Sequence, residues 1–199
     1  MAQMSKPDFV ARFWPAAVKV TAGTGIFPEV AISQWALETG YAKSRHAQPD
    51  VNNFAGIKAG SSWTGKVISS TTDEVLNGVR QTFAGTGKIY ANKAAALAAG
   101  AHPQTIFRVY ATEIDGLQGW KDIIMKSIYT AARQATTPAA QFAALQAAGY
   151  ATATSYASTL NSVLNSLTSY IEQAKKVLAA NGGAFFFNSG RGPIDLCNN

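Results

Sequence analysis

Glu38 stands where a merely structural carboxylate gains least. It closes the apolar run AISQWAL and precedes a glycine–aromatic step, Thr39-Gly40-Tyr41. A helix over these residues ends at Gly40, which suits a left-handed C-terminal cap, so Glu38 falls in the last turn. There a carboxylate meets the negative end of the helix dipole and is costly to desolvate. A carboxyl held against apolar walls has its pKa raised, which is what a general acid near neutral pH requires. A structural glutamate bonded to loop N–H groups fits the same position, and the residues alone leave the two roles even.

Other chemistries fail on inspection. No GxSxG occurs, and His46 and His102 lie in polar loop contexts without an HExxH or a Cys/His cluster, which disfavours zinc amidase and Cys–His peptidase mechanisms. The run GTGK at 85–88 resembles a phosphate loop superficially, with Thr82 and Ile89 where glycine and a hydroxyl would be needed. GTG at 23–25 lacks the third glycine of a dinucleotide fingerprint and reads as a turn. Of the remaining acids, Asp8 and Glu29 look like helix-start charges, Glu172 like a solvated helix face and Asp195 like tail.

The elements that must position Glu38 are mostly helical. Ser5 is a candidate N-cap for a first helix carrying Phe9, Val10, Phe13, Trp14, Ala17 and Val18 on one face, with Pro15 expected to kink or divide it. A second helix starts near Pro28 and carries Val30, Ile32, Trp35 and Leu37. Residues 44–62 read as loop, 67–75 as a strand, and IFRVYAT at 106–112 as its partner. From 80 to 104 the pattern is irregular apart from a short alanine-rich helix at 93–99. Helices are expected again at 120–132, 138–147 and 155–180, the last stopped by Gly182-Gly183.

Composition bounds the rest. With 199 residues, 47% hydrophobic and 14% charged, the chain can bury a sizeable core without disulfides. The single cysteine, Cys197, allows no intrachain disulfide and leaves no partner for a cysteine-based metal site. No apolar run approaches the ~18 residues of a membrane span, and no classical export signal is visible at the N-terminus. A net charge of +6 favours anionic surfaces such as nucleic acid, phospholipid or bacterial wall. The basic residues are scattered, with only Lys175-Lys176 adjacent, which argues against a nucleic-acid binder.

Four blocks in order carry a resemblance. The stretch PEVAISQWALETGYAKS, then VNNFAGIKA with Trp63 and TTDE, then FRVYAT at 107–112, then AALQAAGYATATSYASTL at 143–160, are similar to the peptidoglycan-cleaving glucosaminidases of glycoside hydrolase family 73, which includes the flagellar rod-associated muramidase. The similarity covers about residues 8–165. Tyr41 departs from the family's tryptophan, Ala55 from its frequent phenylalanine, and Ala153-Thr154 from its Asp-Pro. The segment 80–104 is longer than the usual hairpin.

The resemblance implies a lysozyme-like α+β domain over 1–181, mostly helical with a small β-lobe at about 66–112, followed by a tail at 182–199. It implies hydrolysis of the β-1,4 bond of the peptidoglycan glycan strand, most simply as an endo-β-N-acetylglucosaminidase, with an N-acetylmuramidase or a non-catalytic glycan-binding module as alternatives. Glu38 is then the general acid. Eleven residues after Trp63, Glu74 takes the place of the base or stabiliser, expected to be more exposed than Glu38. Tyr150 joins them, and Tyr41, Asn53, Phe54, Lys58, Trp63 and Tyr156 are assigned to substrate binding, with a core role nearly as good for Trp63. Two carboxylates need no metal or cofactor for acetal cleavage. Synthesis in the cytoplasm with action in the periplasm or wall, of the same or another cell, fits a phage lysin or an interbacterial toxin, whose partners would include a secretion apparatus or an immunity protein.

Overall fold

Ser5 starts the first helix as its sequence suggests, its hydroxyl accepting from the Asp8 amide at the head of α1 (Lys6–Thr21). The structure, a computed structural model, describes residues 3–76, 78–151 and 153–180, so the Gly182-Gly183 stop and the tail lie outside the described residues. Pro15 does not divide α1. A proline removes one backbone hydrogen bond, but Phe13, Trp14, Ala16 and Ala17 around it are all buried, and that packing carries the helix through.

Helix α2 (Pro28–Thr39) runs between the expected proline and Gly40, whose φ of +55° makes the left-handed cap. Helices α1 and α2 pack on each other and on α7 (Tyr156–Ala180), while α4 (Glu113–Ile124) leans on α1, and α6 (Pro138–Ala147) on α7 and α2. Their common core holds Phe9, Phe13, Phe54 and Phe142, with Trp35 meeting Trp120 edge-on at 5.3 Å. Two short helices, α3 (Lys93–Ala98) and α5 (Thr130–Gln134), complete the set among the described residues.

The β-lobe has more parts than expected. Strand β1 (Val67–Ser69) is the centre of an antiparallel sheet in the order β4–β1–β5, with β4 at Ile89–Tyr90 and β5 at Ile106–Arg108. A separate hairpin, β2 (Thr72–Leu76) and β3 (Val79–Phe83), forms its own two-stranded sheet, with Thr72 opposite Phe83 and Leu76 opposite Val79. The expected single strand at 67–75 is therefore broken at Ser70 and Thr71. Gly85 crosses there so closely that a Cβ on it would lie 2.3 Å from the Ser70 carbonyl carbon, and the Ser70 amide turns to the Thr105 carbonyl at 2.8 Å. The segment from 80 to 104 holds the expected short helix as α3 and, where irregular chain was expected, supplies most of β3 and all of β4.

Two further boundaries are corrected. Strand β5 stops at Arg108 and α4 begins at Glu113, because Thr112 and Asp115 close a reciprocal capping box. Helix α4 ends at Ile124 instead of continuing to 132. One turn of 3₁₀ helix at Ser127–Tyr129 and then α5 follow it.

Gly116, inside α4, is where the helix meets the loop that feeds the β-lobe. A Cβ there would sit 1.7 Å from the Asn52 carbonyl oxygen. Glycine to alanine normally stabilises a helix interior by about 1 kcal/mol, but Gly116→Ala is expected to destabilise by about 1–3 kcal/mol through overpacking. Urea or thermal unfolding measures this, and an unchanged or higher midpoint would contradict the contact.

Candidate active site

Gln34 and Glu38 lie one turn apart on α2, so both face the same side. The hydrogen bonds around them have only one possible direction. An indole N–H can only donate, and Trp120 Nε1 donates to Gln34 Oε1 at 3.0 Å. The Gln34 amide is thereby oriented with its nitrogen toward α7, where Nε2 donates to the Tyr156 hydroxyl at 2.8 Å. The Tyr156 oxygen accepts there, which leaves its own proton for the Glu38 carboxyl. All three supporting side chains are buried.

Glu38 itself is open to solvent on one side, with dense protein on the others. Burial pushes its carboxyl from 4.5 up to about 7, with the Tyr156 hydrogen bond pulling the other way. Tyr150 arrives by a different route. Gly149, with φ of +76°, ends α6 in the left-handed conformation, and the Tyr150 amide returns to the Leu145 carbonyl at 3.0 Å. The Tyr150 ring stacks on Tyr156 at 5.8 Å and tilts against Tyr129 at 5.7 Å. Burial, and then the neighbouring Tyr156 and Glu38, hold its hydroxyl well above the ordinary phenol range, so it stays neutral.

Glu74 is set differently. It lies on β2, half-buried, and its Oε1 takes a hydrogen bond from Lys58 Nζ at 2.6 Å and another from Thr72 Oγ1 at 3.1 Å. Lys58 first, against the opposing effect of burial, holds the Glu74 carboxyl below its ordinary value. Glu74, expected to be the more exposed of the two acids, presents less surface to solvent than Glu38 because Lys58 draws its carboxyl inward, while Glu38 has the denser protein around it. The two carboxyls are not in contact, and neither is among the groups acting on the other's ionisation.

The remaining assignments divide. Tyr156 is at the centre of the Glu38 cluster. Asn53 and Phe54 cannot line a groove: both are fully buried, Phe54 packs edge-on to Phe13 at 5.1 Å, and Asn53 bonds the backbone of Ile57 and Arg108. Tyr41 turns its ring edge-on to Phe9 of α1 at 5.5 Å. Trp63 is pinned between the Arg108 guanidinium, 4.8 Å from its ring, and Gly65, and its Nε1 donates to the Lys66 carbonyl. It borders a cavity of about 630 Å³ shared with Asp50, Lys66, Tyr110 and Asp115, which contains neither Glu38 nor Glu74. Gln34, Trp120 and Tyr129 were not singled out from sequence. Gln34 had a legible signal, its i, i+4 spacing from Glu38.

Among the described residues no group of three or more His, Cys, Asp or Glu side chains could hold a metal ion, and no helix is long and apolar enough to cross a membrane. A helical body with a small β-lobe and a glutamate at the end of a buried helix defines a lysozyme-like glycoside hydrolase domain. The chain belongs to the glucosaminidase family, glycoside hydrolase family 73, whose model, described as mannosyl-glycoprotein endo-beta-N-acetylglucosaminidase, matches residues 14–169. It is 31% identical over 179 residues to the peptidoglycan hydrolase FlgJ of Salmonella typhimurium, covering 87% of this chain and 50% of that protein. The chain thus spans about half the length of that curated relative. Among solved structures, a peptidoglycan hydrolase mutant from Sphingomonas sp. A1 is 30% identical with a TM-score of 0.65, over 84% of this chain and 99% of that one. The glycoside hydrolase domain of Salmonella typhimurium FlgJ is 26% identical with a TM-score of 0.59, over 89% and 98%.

Because Tyr156 favours the ionised Glu38, Tyr156→Phe is expected to raise the Glu38 pKa above about 7 and, by leaving Gln34 Nε2 unpaired, to cost about 1–2 kcal/mol of stability. Carbon-13 NMR titration of the glutamate carboxyls and chemical unfolding measure the two effects. A Glu38 pKa that stayed or fell would show that the hydroxyl does not donate to it.

Proposed function

We propose that this domain hydrolyses the β-1,4 glycosidic bond of the peptidoglycan glycan strand as an endo-β-N-acetylglucosaminidase. The observation that carries this reading is the opposite treatment of two carboxyls: Glu38 is held protonated toward neutral pH by its surroundings, and Glu74 is held ionised by Lys58. Acetal cleavage needs that division of labour. Glu38 gives its proton to the leaving glycosidic oxygen as the C1–O bond breaks. Glu74, as carboxylate, activates water or stabilises the positive charge growing at C1. The neutral Tyr150 hydroxyl, beside Glu38, orients the 2-acetamido group or the water.

Mass analysis of muropeptides released from purified walls tests the bond chosen. Products with N-acetylglucosamine at the new reducing end support the proposal, N-acetylmuramic acid there assigns a muramidase, and no product leaves a non-catalytic glycan-binding module. Delivery as a phage lysin, or as an exported toxin matched by an immunity protein, would carry such an enzyme to its wall, and the +6 net charge favours adsorption there.

Glu38→Gln keeps the shape and removes the transferable proton, so the rate on purified walls is expected to fall by about 10²–10⁴. Retention of more than about a tenth of the activity excludes Glu38 as the acid. In the wild-type enzyme kcat/KM should decline as pH rises through about 7, where Glu38 loses its proton, and should hold to below the ordinary carboxylate range on the acidic side, where Glu74 stays charged.

A further inference from the structure

Lys58 reads from sequence as a substrate contact, yet its ammonium is already engaged. It donates to Glu74 Oε1 at 2.6 Å, to the Gln104 carbonyl, and at 3.4 Å to Thr72 Oγ1. It also lies 4.0 Å from the centroid of the Phe107 ring. An ammonium has three donors, and all three have partners while an aromatic face receives the charge.

The position of the β2–β3 hairpin gives these contacts their meaning. Among the described residues it has no strand pairing with the three-stranded sheet, so its seat depends on side chains. At one end Phe83 stacks on His102 with centroids 4.4 Å apart and planes 16° from parallel. Along β2 the tie is Lys58 to Glu74, between residues sixteen positions apart in sequence. The Lys58 backbone is itself bridged to Phe107, so the lysine is rooted in the sheet and reaches out to the hairpin.

We propose that Lys58 is a positioning residue for hydrolysis: its ammonium, seated on Phe107 and the Gln104 carbonyl, fixes the Glu74 carboxylate and with it the β2–β3 hairpin against the sheet. The inference rests on the role given to Glu74 above. Other groups near Glu74 do not replace Lys58. Asp73 opposes ionisation of Glu74 but is itself bonded to Arg80 and Thr82, and Thr72 contributes a neutral donor. His46 packs against Phe107 at 4.4 Å and is pushed down to about 4 by burial, then by the Lys58 and Arg45 charges, so it brings no second cation at neutral pH.

The test compares Lys58→Met, Lys58→Arg, Glu74→Gln and the Met/Gln double variant with the wild type. Three quantities are read: the Glu74 pKa by carbon-13 NMR, amide exchange in β2 and β3, and kcat/KM against pH on purified walls. Lys58→Met should raise the Glu74 pKa by about one pH unit, and the acidic limb of kcat/KM should move up with it. Hairpin exchange should quicken by about fivefold, the size expected of a partly exposed ion pair. Lys58→Arg should restore most of both effects. Glu74→Gln should loosen the hairpin as much as Lys58→Met, and the double variant no more than either. The proposal is overturned if Glu74 titration and hairpin exchange match the wild type in Lys58→Met, or if that variant raises KM alone, which would mark a substrate contact. Should the wild type release no sugar while titration and exchange still respond, the hydrolase reading fails and the structural tie stands.

Discussion

A donor that cannot reverse sets the polarity of the acidic half of the site. Because the Trp120 indole only donates, Gln34 has one acceptable amide orientation, Tyr156 has one open role toward Glu38, and Glu38 receives a proton donor on its protein side. The four members are spread over three helices of the body: Trp120 on α4, Gln34 and Glu38 on α2, Tyr156 on α7. The packing of α2 against α7, and the Trp35–Trp120 contact, are therefore also what hold the chain of bonds in register. Buried polar chains of this kind are costly when one link is missing, which ties the stability of the body to the chemistry of Glu38.

The other carboxyl is held by the opposite means. Glu38 is tuned by the dense protein packed around most of a rigid helix end; Glu74 is tuned by adding a cation on a hairpin that, among the described residues, shares no sheet with the rest of the lobe. The first mechanism needs a packed core behind it, and α2, with Val30, Ala31, Ile32 and Trp35 fully buried, supplies one. The second needs only one well-seated lysine. Strand β3 is exposed along most of its length and buries little to anchor itself, so a charged tie at Lys58 accomplishes locally what packing does for Glu38.

What was legible in the sequence follows the same division. Helix α2, its glycine cap and the odd placement of Glu38 are local features, encoded within a dozen residues, and they read correctly. So did α6, which starts at a proline, and α7, whose apolar spacing is regular. The hairpin was missed although Asn77-Gly78 is a strong turn dipeptide, because the Thr/Ser-rich run before it looked like one longer strand. The start of α4 was missed because IFRVYAT alternates well enough to pass for strand through Thr112, the residue that caps the helix. The Lys58–Glu74 tie and the Trp120–Gln34–Tyr156 chain join residues far apart in sequence, and neither periodicity nor spacing registers such pairs. The resemblance brought Glu74, Tyr150 and Tyr156 to attention, but it could not say which neighbours each would meet.

The block VNNFAGIKA shows how a motif can be essential to a site without touching its ligand. Asn53 accepts from the Ile57 amide at 2.8 Å and donates to the Ile57 and Arg108 carbonyls at 3.0 and 2.9 Å, so its side chain fastens the turn to β5. Phe54 plugs the turn into the helical core against Phe13, and Asn52, in a left-handed conformation, bonds the Pro49 and Tyr110 carbonyls. With residues 52 to 57 fixed at both ends, the next residue leaves the turn bridged to Phe107 on β5 and has one direction to go. That residue is Lys58. The motif's asparagines and phenylalanine are thus the mounting, and the lysine is the part they present to Glu74.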